Sequence, residues 1–167
     1  MGLTRAAAVQ GIIPPGNKVR ELRDNLMRLM SATAVVMDER FGEAGLEAVS
    51  EVFRRLGQED AKSIKEKLGL GNTLKDALDA WKVIGHIMGS RMETRWISDK
   101  RVETNHPFCP QHQAFVKSGK LYCEAVCYPY VEGVAVGIAD NIRMEVPKPA
   151  DMSSACTKAL TVGKEYL

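Results

Sequence analysis

All four cysteines of the chain fall after residue 108, and two of its three histidines accompany them. Cys109 is followed by Pro110 and flanked by His106 and His112. Cys123 and Cys127 stand four positions apart, and Cys156 closes the set. Thiolates and imidazoles are the usual holders of zinc, and four thiolates hold an iron–sulfur cluster. The same groups serve as nucleophile, base or redox pair. Any thiol chemistry of this protein therefore belongs to its last third.

The spacing points to a shared centre. On a helix, residues 123 and 127 project their sulfurs from one face, a turn apart, and lose little entropy on taking a metal. Cys109 precedes a proline that suits the first position of a helix, and a helix N-terminus favours thiolate over thiol. The expected metal ligands are Cys109, Cys123 and Cys127, with Cys156 or one of His106 and His112 completing the shell. The pattern C-x13-C-x3-C with a single cysteine 29 positions later is neither a zinc ribbon nor a ferredoxin run. Cysteines are also often buried for packing alone. His106, His112 and Glu132 are the candidate proton carriers; Glu132 interrupts an otherwise apolar run from Val131 to Ala139. His86, beside Ile84 and Met88, reads as a histidine at the edge of a core. Gly133 and Gly137 permit close approach of a second backbone or of a flat ligand.

These side chains need a scaffold, and 167 residues with 45% hydrophobic content can supply one without disulfides. The formal net charge is +2, with acidic and basic residues interspersed. No basic block tracks a phosphate backbone, so no nucleic-acid partner is expected. No apolar run reaches the roughly 18 residues of a membrane span, so no membrane partner is expected. The first nine residues are too short and too weakly apolar for a secretion signal, which makes a cytoplasmic location the expectation. Thiols there stay reduced.

Residues 1–16 read as a flexible lead-in ending in Pro14-Pro15-Gly16, and residues 17–167 as a single α+β domain. Its helical section covers 17–90. Val19, Leu22, Leu26, Leu29, Met30, Val36 and Met37 recur at helical steps, with Asn17 as a cap. A second helix carries Leu46, Val49, Phe53 and Leu56 and stops at Gly57; a third runs from about Asp60 to Leu68. Thr73 and Asp76 form a capping box for a fourth, with Leu74, Ala77, Leu78, Trp81, Ile84 and Met88 on its apolar face. The cysteine-bearing section covers 91–167. A hairpin turns at Ser98-Asp99-Lys100, and a short helix spans Gln111 to Val116. A long helix from Leu121 to Ala139 is bent by Pro129. Strands follow at Asn141–Val146 and Ala155–Val162. Helices followed by strands predict an antiparallel sheet of about four strands, with the long cysteine-bearing helix packed on it.

The order hairpin, Cys109-Pro110, helix, Cys123 and Cys127, strand, Cys156 resembles the L-2-amino-thiazoline-4-carboxylic acid hydrolase family over residues 75–162. More distantly it resembles the 4-vinyl reductase domain. The resemblance implies a small cytoplasmic α+β protein with a cysteine-lined, metal-binding pocket. It also implies ring-opening hydrolysis of a C–N bond, or small-molecule binding.

The leading expectation is thus a zinc or iron–sulfur centre held by the cysteines, acting on a small-molecule substrate or ligand. In an enzyme of this kind the metal activates water or polarises a C=N bond, while His106, His112 or Glu132 moves protons. Two rivals stand beside it. One is a non-catalytic ligand-binding or redox-sensing module. The other is a metal-free enzyme in which His112 activates Cys109. The Val19–Met37 stripe is long enough to join two copies in a homodimer; packing within the chain explains it as well.

Overall fold

A computed structural model describes residues 9–163. Of the lead-in, residues 1–8 lie outside the described part, and residues 9–14 run through a turn into the first helix. Helix α1 (Pro15–Leu68) is 54 residues long and starts with Pro14 as its N-cap and Pro15 at its first position. There the missing proline N–H costs nothing. At Gly42 the backbone leaves the helical region (φ 58°, ψ −136°), so α1 consists of two rods. Only glycine takes that conformation without strain.

The sequence pattern suggests three helices over this stretch, with a stop at Gly57. Gly57 is instead buried inside the second rod. A methyl group there would collide with the carbonyl of Tyr130, and one at Gly133 would collide with the carbonyl of Arg54. Gly137 likewise meets Ala61. These residues lack side-chain bulk because two helix backbones cross here, not because a helix ends.

Helix α2 (Leu74–Met88) begins with a complete capping box between Thr73 and Asp76 and ends at Gly89. It buries Leu74, Ala77, Leu78, Trp81 and Ile84. Strands β1 (Arg91–Ser98) and β2 (Arg101–Phe108) form the hairpin. Helix α3 (Pro110–Ser118) follows directly, with Cys109 as its N-cap.

Helix α4 (Cys127–Ile138) starts later than its apolar run suggests. Residues 121–126 form turns. Pro129 consequently lies in the first turn, where backbone N–H groups have no partner within the helix, and it bends nothing. Strands β3 (Ile142–Lys148) and β4 (Thr157–Val162) complete the sheet. Its order is β1-β2-β4-β3, antiparallel throughout. Pro147 falls at an irregularity of the edge strand β3, where a missing donor is tolerated.

The architecture is therefore α+β, with N-terminal helices followed by a four-stranded antiparallel sheet. Helix α4 lies at its centre. It packs against α1 through the glycine crossing, and Val134, Ala135 and Ile138 share a core with α2 and with Val102, Ile142 and Leu160 of the sheet. Trp81 on α2 donates its indole N–H to the Val131 carbonyl at 2.7 Å, tying α2 to α4. A second cluster, around Phe53, Phe115, Tyr122, Val126 and Tyr128, includes Cys123 and Cys156.

Candidate functional site

The register of the sheet assembles the site. Val102 pairs with Leu160, and Thr104 pairs with Lys158. Cross-strand partners share a face, so the covered face runs from an apolar end (Val102, Leu160) to a polar one (Thr104, Lys158). One step further, His106 reaches the carbonyl of Cys156 at 3.3 Å. Lys158 is only 5% exposed and Thr104 only 1%. The N-terminus of α3 brings Cys109, Gln111 and His112 over this end, and the turn before α4 brings Cys123 and Cys127.

The four sulfurs lie in one neighbourhood. The Cys123 and Cys127 thiols hydrogen-bond each other, although Cys123 precedes the helix rather than riding on it. Cys109 feels the charges of Cys123 and Cys156. Lys158 stands among them: its Nζ donates to Cys156 Sγ at 2.9 Å and lies 5.6 Å from the Tyr128 ring. Its charge acts on His106, Cys109, Cys123 and Cys127 alike.

Electrostatics divide the group. The hydrogen bond from Cys127 holds the Cys123 thiol below its ordinary pKa, with Lys158 assisting against burial. The same hydrogen bond, together with burial, pushes Cys127 well up. Burial also pushes Cys109 up, against the opposing pull of the His112 backbone N–H and Lys158. Burial and then Lys158 lower His106 to about 3, while its bond to the Cys156 carbonyl works the other way. Near neutral pH the His106 imidazole is therefore uncharged.

Two cavities open on this cluster. The apolar one, about 160 Å³, lies between α1, α2 and β1 and is walled by Met27, Phe53, Trp81, Ile84 and Met88. Cys109, Gln111, Cys127, His106 and Lys158 form its polar end. Leu26 and Leu56, both more than 40% exposed, mark its mouth. A second, polar cavity of about 280 Å³ lies behind, between β2, α3 and residues 153–155. His106 and Cys109 belong to both.

The remaining expected site residues take other places. His112 is buried and its Nε2 meets the Asp151 carbonyl at 2.7 Å, which anchors the loop before β4. That contact fixes Nε2 as the donor and leaves the lone pair on Nδ1, and Cys109 meets the backbone amide of His112. Glu132 is 38% exposed and faces Arg54 of α1 at 3.5 Å, away from both cavities. An apolar flank in sequence does not bury it, because its side of α4 looks outward beside α1.

Lys158, Thr104 and Gln111 escape a reading of the sequence based on cysteine and histidine. A signal for Lys158 is present: it shares the inward period of two with Leu160 on β4 and with Cys156 just before it. Thr104 Oγ1 and Gln111 Oε1 are buried without a hydrogen-bond partner among the described residues.

The metal-binding, hydrolase-like character expected from the cysteines is corrected here. Among the described residues no group of three or more His, Cys, Asp or Glu side chains is arranged to hold an ion.

No family model matches the chain, and no curated protein matches it. A solved structure shares its fold: trafficking protein particle complex subunit 3 from Naegleria fowleri, covalently bound to palmitic acid. The match has a TM-score of 0.65 and 15% sequence identity, and covers 89% of this chain and 98% of that one. It corrects the resemblance to the L-2-amino-thiazoline-4-carboxylic acid hydrolase family and, distantly, to the 4-vinyl reductase domain. That resemblance rested on the order of four cysteines, which does not by itself specify a fold family. What this chain shares is the fold of a trafficking-particle subunit.

Proposed function

We propose that this protein is a binding module for a small apolar molecule, seated in the cavity between α1, α2 and β1 with its inner end against the thiols and Lys158. The observation that carries this reading is the composition of the cavity. Methionine, aromatic and aliphatic side chains form the walls, and every strongly polar group except Asp60 and Ser90 gathers at one end. Concave apolar sites with a few convergent polar groups are the usual form of ligand sites. The fold neighbour, by its own description, carries an acyl chain. The present chain offers comparable materials: an apolar cavity with Cys109 and Cys127 at its end.

Binding is measurable through Trp81, which lines the cavity. Titration with n-octanol should change the tryptophan emission of the protein, and Trp81→Phe should abolish the change. Leu56→Glu, which places a charge at the half-exposed mouth, should weaken binding while leaving the fold intact by circular dichroism. An emission that stays flat up to the solubility limit of octanol, with calorimetry equally silent, would defeat the proposal. Metal analysis of protein purified without oxygen separates the rival reading: one equivalent of zinc, or iron with sulfide, lost in Cys123→Ser, would replace the ligand site by a metal centre.

A second reading concerns assembly, and a different observation favours it. In the first rod of α1, Val19, Leu22 and Leu29 are each about 60% exposed or more, and Val36 is 45% exposed. Large apolar stripes on one helix mark protein contacts. The neighbour is a subunit of a complex by its description. We take the stripe to join two copies of this chain. Light scattering should give a dimer, and Leu22→Glu with Leu29→Glu should give a monomer; a monomeric parent protein at high concentration removes this reading.

A further inference from the structure

The cavity described above ends on a charge that nothing in the fold neutralises. Lys158 is 5% exposed, and among the described residues no carboxylate lies within ion-pair distance of its ammonium. Its neighbours are the Cys156 sulfur at 2.9 Å, a weak acceptor, and the face of Tyr128. A buried ammonium is normally paired with an anion. The cross-strand partner Thr104 adds a buried hydroxyl with no partner, on the same face of the sheet. Gln111, on the cavity wall, adds an unmatched amide oxygen that a ligand-borne water can serve. An ammonium without a counter-ion and an unmatched amide oxygen at one end of an apolar cavity call for a polar head.

From this we infer that the ligand is a small monocarboxylate, its carboxylate paired with Lys158 and its apolar part filling the space between Met27, Phe53, Trp81 and Ile84. The inference rests on the ligand-binding reading and specifies the ligand. One charge sets the head group. Among the residues lining the cavity Lys158 is the single lysine or arginine, and the imidazole of His106 is neutral. A phosphate dianion asks for more positive charge than that; a carboxylate does not. The other carboxylate on the wall, Asp60, accepts the Tyr130 hydroxyl at 2.7 Å and sits one turn from Leu56, at the mouth. It therefore disfavours a bound pose with the ligand's carboxylate at the mouth. Volume sets the tail. The cavity of about 160 Å³ is close to the roughly 150 Å³ that accommodates a benzene ring. An aryl group or a short alkyl chain fits, and a longer chain protrudes past Leu26.

Octanoate and n-octanol share a tail and differ in charge. In calorimetry near pH 7 the protein should bind octanoate at least about tenfold tighter than octanol, the usual worth of a hydrogen-bonded charge pair. Lys158→Met should bring octanoate down to the level of octanol and leave octanol unweakened. Equal affinities in the parent protein overturn the head-group assignment and leave the cavity reading standing. Failure of both ligands overturns both. Should Lys158→Met not fold, Lys158→Gln serves the same comparison, and the parent protein alone decides through the octanoate–octanol ratio.

Discussion

Gly57 on α1 lies against the carbonyl of Tyr130 on α4 with no room for a methyl group between them. The reciprocal contact, Gly133 against the carbonyl of Arg54, lies on the opposing helix. Together they set how closely the helices cross, and through α4 they fix the height of Cys127 and Tyr130 above the cavity. Gly57→Ala should cost about 1–3 kcal/mol, as overpacking does, and lower Tm by roughly 5 °C for a chain of this size. Gly16→Ala is the control: nothing lies within 4 Å of it, so Tm should hold or rise. Thermal melts by circular dichroism decide. An unchanged Tm for Gly57→Ala would mean that the helices do not cross this closely.

The Thr73 side chain caps α2 and is answered by the Asp76 carboxylate, which the hydrogen bonds from Thr73 hold below its ordinary pKa. Thr73→Ala should cost about 1 kcal/mol. Urea unfolding is the measurement. The midpoint should fall with an unchanged slope; no fall would show that α2 is held by its packing alone.

His106 carries the clearest pH dependence. Unfolded, a histidine takes its proton near pH 6.5; in place, His106 resists protonation down to about 3. Between those values the unfolded chain holds more protons, so stability rises with pH through that window. The contribution is complete above the unfolded value and disappears as pH falls towards the folded one. From pH 6.5 to 5 the loss should be about 1.5 kcal/mol. His106→Asn keeps an N–H for the Cys156 carbonyl and removes the titration. Its stability difference between those two pH values should shrink by that amount, and a parallel pair of curves would contradict the burial of the imidazole.

Cys123 should be the most readily ionised thiol of the pair it forms with Cys127, because Cys127 donates to it. Cys127→Ala removes the donor. Iodoacetamide labelling of Cys123 near pH 7.5, followed by peptide mapping, should slow several-fold. Faster labelling would point to exposure, and an unchanged rate would show that the thiol hydrogen bond does not control ionisation.

Local signals were the legible ones. Thr73 and Asp76 announced a helix start, Ser98-Asp99-Lys100 a hairpin, and the succession of helices and strands an α+β fold. Signals that depend on a distant partner misled. Gly57 resembled a stop because its reason, the backbone of residues 130–134, lies far along the chain. Pro129 resembled a kink because the start of α4 is set by the turn that carries Cys123. At the site, cysteine spacing drew attention to the right surface but named metal as its content. The decisive side chain, Lys158, is an ordinary strand residue in sequence and becomes unusual only when the sheet turns it inward beside Cys156.

His106 and Cys109 each border both cavities, so the partition between the oily chamber and the wet one is a single layer of side chains. A rotamer change at either residue would merge two compartments into a through-passage from the mouth at Leu26 to the loop at Ser153.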